Sequence, residues 1–366
     1  MCQVCDFVHL HNHTVYSKLD GAISANLLFD RLKELNMDSF AKTDHGTLAG
    51  TMEFMTAATK AGVKLICGCE FYEVNDIREK FIGDGADCRT PDKVKREDAP
   101  DERPDQKKQK YWHVTMLAKD KVGYDQLVRL SSAANTQDAY FFKPRIDGKM
   151  IAEIVGDNKG HIKLGTGCAI SRMSKTALSN DAIGALDKDL DYYHKLFGAD
   201  DIYVEIMATG YDAQKEINVK LIELAEKRGL PIVVTNDCHY LTEEHARLQD
   251  ILVCISTNQY VDGERNFKFE GSNYFVKTPD QLRKIFKETQ GIDVKQEWFD
   301  NSRLIANSCE HCGYAKDPEF KLPQYTVQRD RLFGEFKDWV EGNAELLAER
   351  FGATPAEIGK LLEISE

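Results

Sequence analysis

Three histidines at alternate positions, His9, His11 and His13, lie in and just after the apolar run FVHL near the start of the chain. On an extended strand alternate residues share a face, so this spacing gathers up to three imidazoles. Asp20 follows seven residues after His13, directly before Gly21. Imidazoles clustered with a carboxylate suit divalent transition metals. Similar groups recur along the chain: Thr43-Asp44-His45-Gly46, Glu70 within Cys67-Gly-Cys69-Glu70, His113 in YWHVT, Cys168 in GTGCAIS, and Asp237 and His239 in TNDCHY. Each is weak alone, since a single histidine packs in a core more often than it binds metal. Together they place a His, Cys, Asp or Glu at the end of strand after strand.

The elements that must position them follow a β/α rhythm. Residues 7–10 read as a first strand. Ser24 caps a helix carrying Leu28, Leu32 and Leu35 at i, i+4, i+7, with Asn36 as its stop. Residues 39–42 are a short strand, and a second helix follows with Leu48, Met52 and Met55 on one stripe and Gly62 after its end. Strands are expected within 64–74, 111–118, 161–166, 202–207 and 231–235. A helix is expected over 212–228, ended by Gly229 and Pro231, and another begins at Thr278-Pro279. Such alternation implies mostly parallel strands under covering helices. An open sheet concentrates its chemistry at one switch point, whereas a barrel gathers strand ends on one face. The scattered ligand types therefore favour an α/β barrel holding a multinuclear metal site. Residues 76–110 break the rhythm, with ten Lys/Arg and ten Asp/Glu and no apolar period, and read as a solvated insertion. From about residue 316 the rhythm stops, and 339–350 and 355–364 read as two helices.

The chain has 366 residues, 42% hydrophobic and 30% charged, enough for a large core. No apolar run approaches the ~18 residues of a membrane span, and the start lacks the pattern of a secretory signal, so a cytoplasmic setting with reduced thiols is expected. The net charge of 48 − 60 = −12 excludes nucleic-acid binding by bulk electrostatics. Metal ions or a partner would have to supply positive charge locally. Lys143 and Arg145, in FFKPRID, are candidates to hold a substrate backbone. Cys2-x-x-Cys5 and Cys309-x-x-Cys312 have zinc-like spacing, with His311 inside the second pair. Two such pairs could form a structural site if the chain ends meet; otherwise they are ordinary free thiols.

FVHLHNHTVYSKLDGA, KTDHGTLAG, ICGCEFY and VVTNDCHYLT resemble the polymerase-and-histidinol-phosphatase (PHP) domain, and most closely the form at the N-terminus of bacterial replicative DNA polymerase III alpha subunits. The resemblance runs from residue 7 to residue 324, through ELAEKRGLPIVVTNDCHY to the late LPQY. It implies a distorted (β/α)7 barrel over residues 1–315, with the charged insertion at 76–110 and a short helical C-terminal extension at 316–366 that starts or links to a polymerase region. It also implies three divalent metals (Zn, Mn or Fe) on nine ligands. His11, His13, Glu70 and Asp237 would hold the first, Asp20, His45 and His239 the second, and Glu70, His113 and Cys168 the third, with Glu70 bridging and His9 only a neighbour.

Such a site implies metal-dependent phosphoester hydrolysis without a serine or cysteine nucleophile. The expected activity is 3′–5′ exonucleolytic proofreading on DNA, single-stranded or at a primer 3′ end, beside a polymerase core on the same or a split chain. Two alternatives are a metal-binding structural or docking module of a polymerase, and a small-molecule phosphatase of the histidinol-phosphatase kind. After Tyr325 no Asp-x-Asp in an apolar strand marks a polymerase palm. Primer extension by this chain, assayed in Mg²⁺ with all four nucleotides, is therefore expected to be absent; robust extension by clean protein would show that the tail has been misread.

Overall fold

A computed structural model describes residues 5–82, 107–108, 111–265, 267–315 and 329–363. The fold is mixed α/β. Nine strands occur among these residues: β1 (Ser39–Lys42), β2 (Lys64–Glu73), β3 (Phe81–Ile82), β4 (Lys107–Lys108), β5 (Trp112–Ala118), β6 (Arg145–Ile146), β7 (Ile162–Gly165), β8 (Ile202–Ile206) and β9 (Ile232–Val234). Seven form one curled sheet in the order β1-β2-β5-β7-β8-β9, with β6 added beside β2. β3 and β4 pair antiparallel near the ends of the charged insertion; the rest of that expected insertion, residues 83–106 and 109–110, lies outside the described residues.

Strands covered on both faces read as continuous apolar runs. β2 is buried at every residue after Lys64, and β8 and β9 are buried throughout. Helix Ala25–Glu34 turns Leu28, Phe29 and Leu32 inward and ends just before Asn36, which takes a left-handed φ of 53°. Pro279–Gln290 opens with a reciprocal capping box between Thr278 and Gln281.

Four readings need correction. β5 runs antiparallel to both β2 and β7, inside an otherwise parallel set; its direction is a tertiary choice that its composition does not encode. Residues 7–10 form no ladder. They make a single bridge, His9 to Phe40 of β1, while Asn12 bridges Cys238 just after β9. This extended segment thus has β1 on one side and the chain beyond β9 on the other. The second helix starts at Thr51, after Leu48, so Phe54, Met55 and Ala58 face inward while Met52 is exposed. The expectation of reduced thiols fails at Cys67 and Cys312, whose sulfurs are bonded across 245 residues, with Cα atoms 5.8 Å apart. The 3₁₀ turn Cys312–Ala315 follows His311, whose Nδ1 accepts from Leu65 N in β2. Cys312 is therefore no partner for Cys309, which is buried and free; Cys5 is half-buried and free, and Cys2 lies outside the described residues.

The chain divides into two compact units, Met1–Lys316 and Asp317–Glu366. The second contains helices Arg329–Gly342, Ala344–Phe351 and Pro355–Glu363, three where two were expected. Trp339 belongs to the first of them, and the chain breaks at Asn343 before the next. Among the described residues no helix is long and apolar enough to cross a membrane.

Candidate metal centre

Glu70 is the hub. It sits inside β2, fully buried, where His45, just after β1, bridges it. Its Oε1 lies 3.1 Å from His11 Nε2, and its Oε2 lies 2.7 Å from His45 Nδ1, 3.2 Å from His113 Nδ1 and 3.4 Å from His13 Nε2. Asp237 Oδ1 approaches His13 Nε2 at 3.0 Å and His11 Nε2 at 3.5 Å. Asp20 Oδ2 lies between His45 Nε2 (3.0 Å) and His239 Nε2 (3.2 Å). Cys168 Sγ is 3.4 Å from His113 Nδ1. All nine expected side chains thus meet in one cluster.

His113 reaches it from the start of its strand rather than the end, because β5 is reversed and pairs His113 with Tyr72. Nearness of donor atoms alone also groups His13 with His45 and His239, and His45 with Glu70 and His113, so His45 faces two neighbouring positions. His9 stays outside: its Nε2 lies 2.9 Å from the Lys277 carbonyl and its Nδ1 faces Cys238 Sγ.

Short as these distances are, many are not hydrogen bonds. His11 Nε2, His13 Nε2, His45 Nδ1, both Glu70 oxygens and Asp237 Oδ1 are buried without a hydrogen-bond partner. Leaving so many polar atoms unsatisfied is costly, and their lone pairs converge. A divalent cation would satisfy them together, and imidazole, carboxylate and thiol are all ligand types for such an ion.

The far side of each imidazole fixes its orientation. His11 Nδ1 donates to Glu205 Oε2 at 2.8 Å, leaving Nε2 to face Glu70. His13 Nδ1 pairs with Ser17 Oγ at 3.0 Å, and His239 Nδ1 with the Asp237 carbonyl at 2.8 Å. Burial alone would depress His11, but Glu205, Glu70 and Asp237 outweigh it and hold the imidazole well above its ordinary range. His45 likewise overcomes burial through Glu70 and Asp20, rising to about 10. Burial, with His45 and His239 adding, lowers His13 to about 4. Glu70 is held well below the usual carboxylate range because His113, His11 and His45 outweigh its burial. Burial, reinforced by Glu70 and Asp237, pushes the Cys168 thiol well up; coordination to a metal reverses that preference.

Sequence reading missed Glu205. The signal was there: a carboxylate inside the apolar strand IYVEI, buried, its Oε1 accepting from Gly167 N–H at 3.0 Å. Glu205→Gln has only one oxygen for two donors and turns an NH₂ group on the other. It is expected to weaken metal affinity about 10–100-fold with little change in fold, as read by metal titration against circular dichroism. Unchanged affinity would remove Glu205 from the centre. Arg145, expected to meet substrate, is instead buried and donates to the carbonyls of Ala139, Glu79 and Ile77. Lys143 does line the cavity above the cluster.

The PHP domain family matches residues 9–209, which hold seven of the nine cluster residues. This chain belongs to the PHP family. Its curated relatives are polymerase III alpha subunits. It is 35% identical to the DNA polymerase III subunit alpha of Thermus aquaticus over 334 residues, 90% of this chain and 25% of that one. The corresponding subunit of Mycobacterium tuberculosis is 29% identical over 358 residues, covering 95% and 28%. The chain spans about a quarter of the length of these curated relatives. Among solved structures it is similar to a proposed metal-dependent phosphoesterase from Bifidobacterium adolescentis (TM-score 0.38, 16% identity, 78% of this chain and 97% of that one). It is also similar to an Endonuclease Q bound to a 27-mer duplex with an abasic lesion (TM-score 0.32, 13% identity, 63% and 48%).

Proposed function

We propose that this chain is a metal-dependent phosphodiesterase that removes nucleotides 3′–5′ from DNA, as a proofreading module beside a polymerase core in the cytoplasm. Its sheet would be the distorted (β/α)7 barrel of residues 1–315, and residues 316–366 the link toward the polymerase. The observation that carries the reading is the set of buried, unsatisfied ligand atoms converging on Glu70. A module without metal gains nothing from so many orphaned polar atoms, whereas a metal-dependent hydrolytic centre needs them.

The ligand sets would be His11, His13, Glu70 and Asp237; Asp20, His45 and His239; and Glu70, His113 and Cys168. When bound, closely spaced divalent ions lower the pKa of water and neutralise charge developing on a phosphoryl group. The residues of the chain do the rest. Glu205, Ser17 and the Asp237 carbonyl fix the three imidazoles. Lys143, its Nζ over the Tyr72 ring at 5.1 Å, stands above the cluster where a phosphate of the substrate would pass. Its charge, with that of the ions, offsets the acidic balance of the chain locally.

About three divalent ions per chain are expected when metal is not limiting, read by elemental analysis after gel filtration from Mn- or Zn-supplemented buffer. A chain that emerges metal-free sinks the site. Activity is tested with 5′-labelled single-stranded DNA beside a small phosphomonoester. Stepwise shortening of the DNA supports the exonuclease. Turnover of the monoester alone favours a small-molecule phosphatase, and bound metal without either activity favours a structural module.

A further inference from the structure

The cavity over the cluster encloses about 650 Å³, and its floor includes Asp20, His45 and His113. That volume falls within the range of sites that enclose small organic groups. Two aromatic walls rise from the ligands themselves. On one side the Phe269 ring packs against His239 at 5.2 Å, and Phe267 packs on Phe269 at 5.3 Å with 47% of its surface exposed. On the other, Tyr72 stacks on His45 at 5.8 Å, Lys143 Nζ lies over Tyr72, and Phe142, next in the chain, is 57% exposed at the same cavity.

The backbone is strained to make this display. Among the described residues, five other than glycine take positive φ. Asn36 and Asn258 do so where helices end, an ordinary place for asparagine. The other three are Asp237 of the cluster and Leu19 and Phe142, the last two exposed apolar side chains lining the cavity. Leucine and phenylalanine gain nothing locally from a left-handed conformation. Strain of this kind persists where function uses the resulting geometry.

We propose that these walls are a nucleobase-stacking subsite: the bases at an unpaired 3′ end stack on Phe142 and Phe267 while Lys143 takes a phosphate between them and the cluster. The inference rests on the hydrolytic reading above and adds its selectivity. A base inside a duplex has both faces covered by its neighbours and a paired 3′-terminal base keeps only its outer face free, so only an unpaired end offers free faces to both aromatic walls. Mispaired 3′ ends fray and would enter; paired ends would not. Every base has such a face, so the subsite is indifferent to sequence.

Binding and cleavage are read separately. A single strand carrying 2-aminopurine at its 3′ end and a phosphorothioate terminal linkage reports stacking by fluorescence quenching. Cleavage is followed on matched strands whose terminal residues are normal or abasic. Wild-type protein is expected to quench the probe and to cleave the normal end about tenfold better than the abasic one. Phe142→Ala and Phe267→Ala should each relieve quenching and lower kcat/KM on the normal end by about tenfold, with no change on the abasic end. Phe142→Trp and Phe267→Trp should restore both. Quenching without cleavage keeps the subsite and refutes the hydrolytic reading. Cleavage with quenching and base preference untouched by the alanine variants overturns the subsite and leaves the walls to a protein partner.

Discussion

Glu70→Gln is expected to stay folded, lose bound metal and lose the proposed nuclease activity by at least ~100-fold, the scale on which removal of one key electrostatic stabiliser acts. Four imidazoles lie within 3.4 Å of its two oxygens. Glutamine keeps the shape but removes the charge and replaces one acceptor with a donor that faces imidazole nitrogens. If Glu70 is shared between metals, one substitution weakens two positions and loosens their spacing, on which activation of water and clamping of phosphate both depend. Cys168 touches the cluster from its edge, through His113. Cys168→Ser keeps a poorer oxygen donor there and should retain more metal and more activity. A carboxylate that merely filled the core would give the opposite pattern, with lower stability and full activity per folded molecule. Circular dichroism, elemental analysis and cleavage rate on the same preparations separate the two. Near wild-type rate with full metal content would redraw all three ligand sets.

The sequence repeats one device, a ligand-type side chain in or just beyond an apolar run, and this marked most of the segments that meet in the cluster; the choice of nine residues, with His9 set aside, came from the resemblance to the PHP domain. Burial of the runs follows from their composition, and the rest follows from the runs being held side by side. What was not legible depends on which strand meets which. YWHVTMLA says strand but not direction, so His113 was expected at the end of a parallel strand and lies at the start of an antiparallel one. FFKPRID suggested two basic residues for substrate. Only the fold shows that Arg145 turns inward to three carbonyls while Lys143 stands at the cavity. The Cys309/Cys312 spacing looked like a metal pair, yet Cys312 is joined to Cys67, a partner 245 positions away that no local pattern announces. Glu205 was hidden differently. One carboxylate among apolar neighbours carries no spacing signal, and its role appears only when β8 is placed beneath His11.

Asp44→Ala is expected to cost the fold about 3–5 kcal/mol, the range for removing one partner of a buried ion pair. The carboxylate is fully buried and accepts from Thr14 N, Thr14 Oγ1, Ser17 N and Ser17 Oγ, pinning the turn that runs from His13 to Asp20. Its charge is matched by Lys42 Nζ at 2.6 Å. That ammonium is itself buried with no other hydrogen-bond partner among the described residues, so deleting Asp44 strands a positive charge in the core. Two effects should therefore appear together. The denaturation midpoint should fall with little change in m-value, and metal affinity should drop, because Ser17 no longer holds the far side of His13. Lys42→Met combined with Asp44→Asn distinguishes the contributions. Removing both charges abolishes the stranded ammonium, so stability should recover in part. Asparagine can accept only some of the four hydrogen bonds, so metal affinity should recover less. If the double variant is as unstable as Asp44→Ala, the hydrogen bonds to the turn dominate and the ion pair is secondary. If Asp44→Ala melts like wild type, the turn is held by something other than this carboxylate, and the positions of His13 and Asp20 need another explanation.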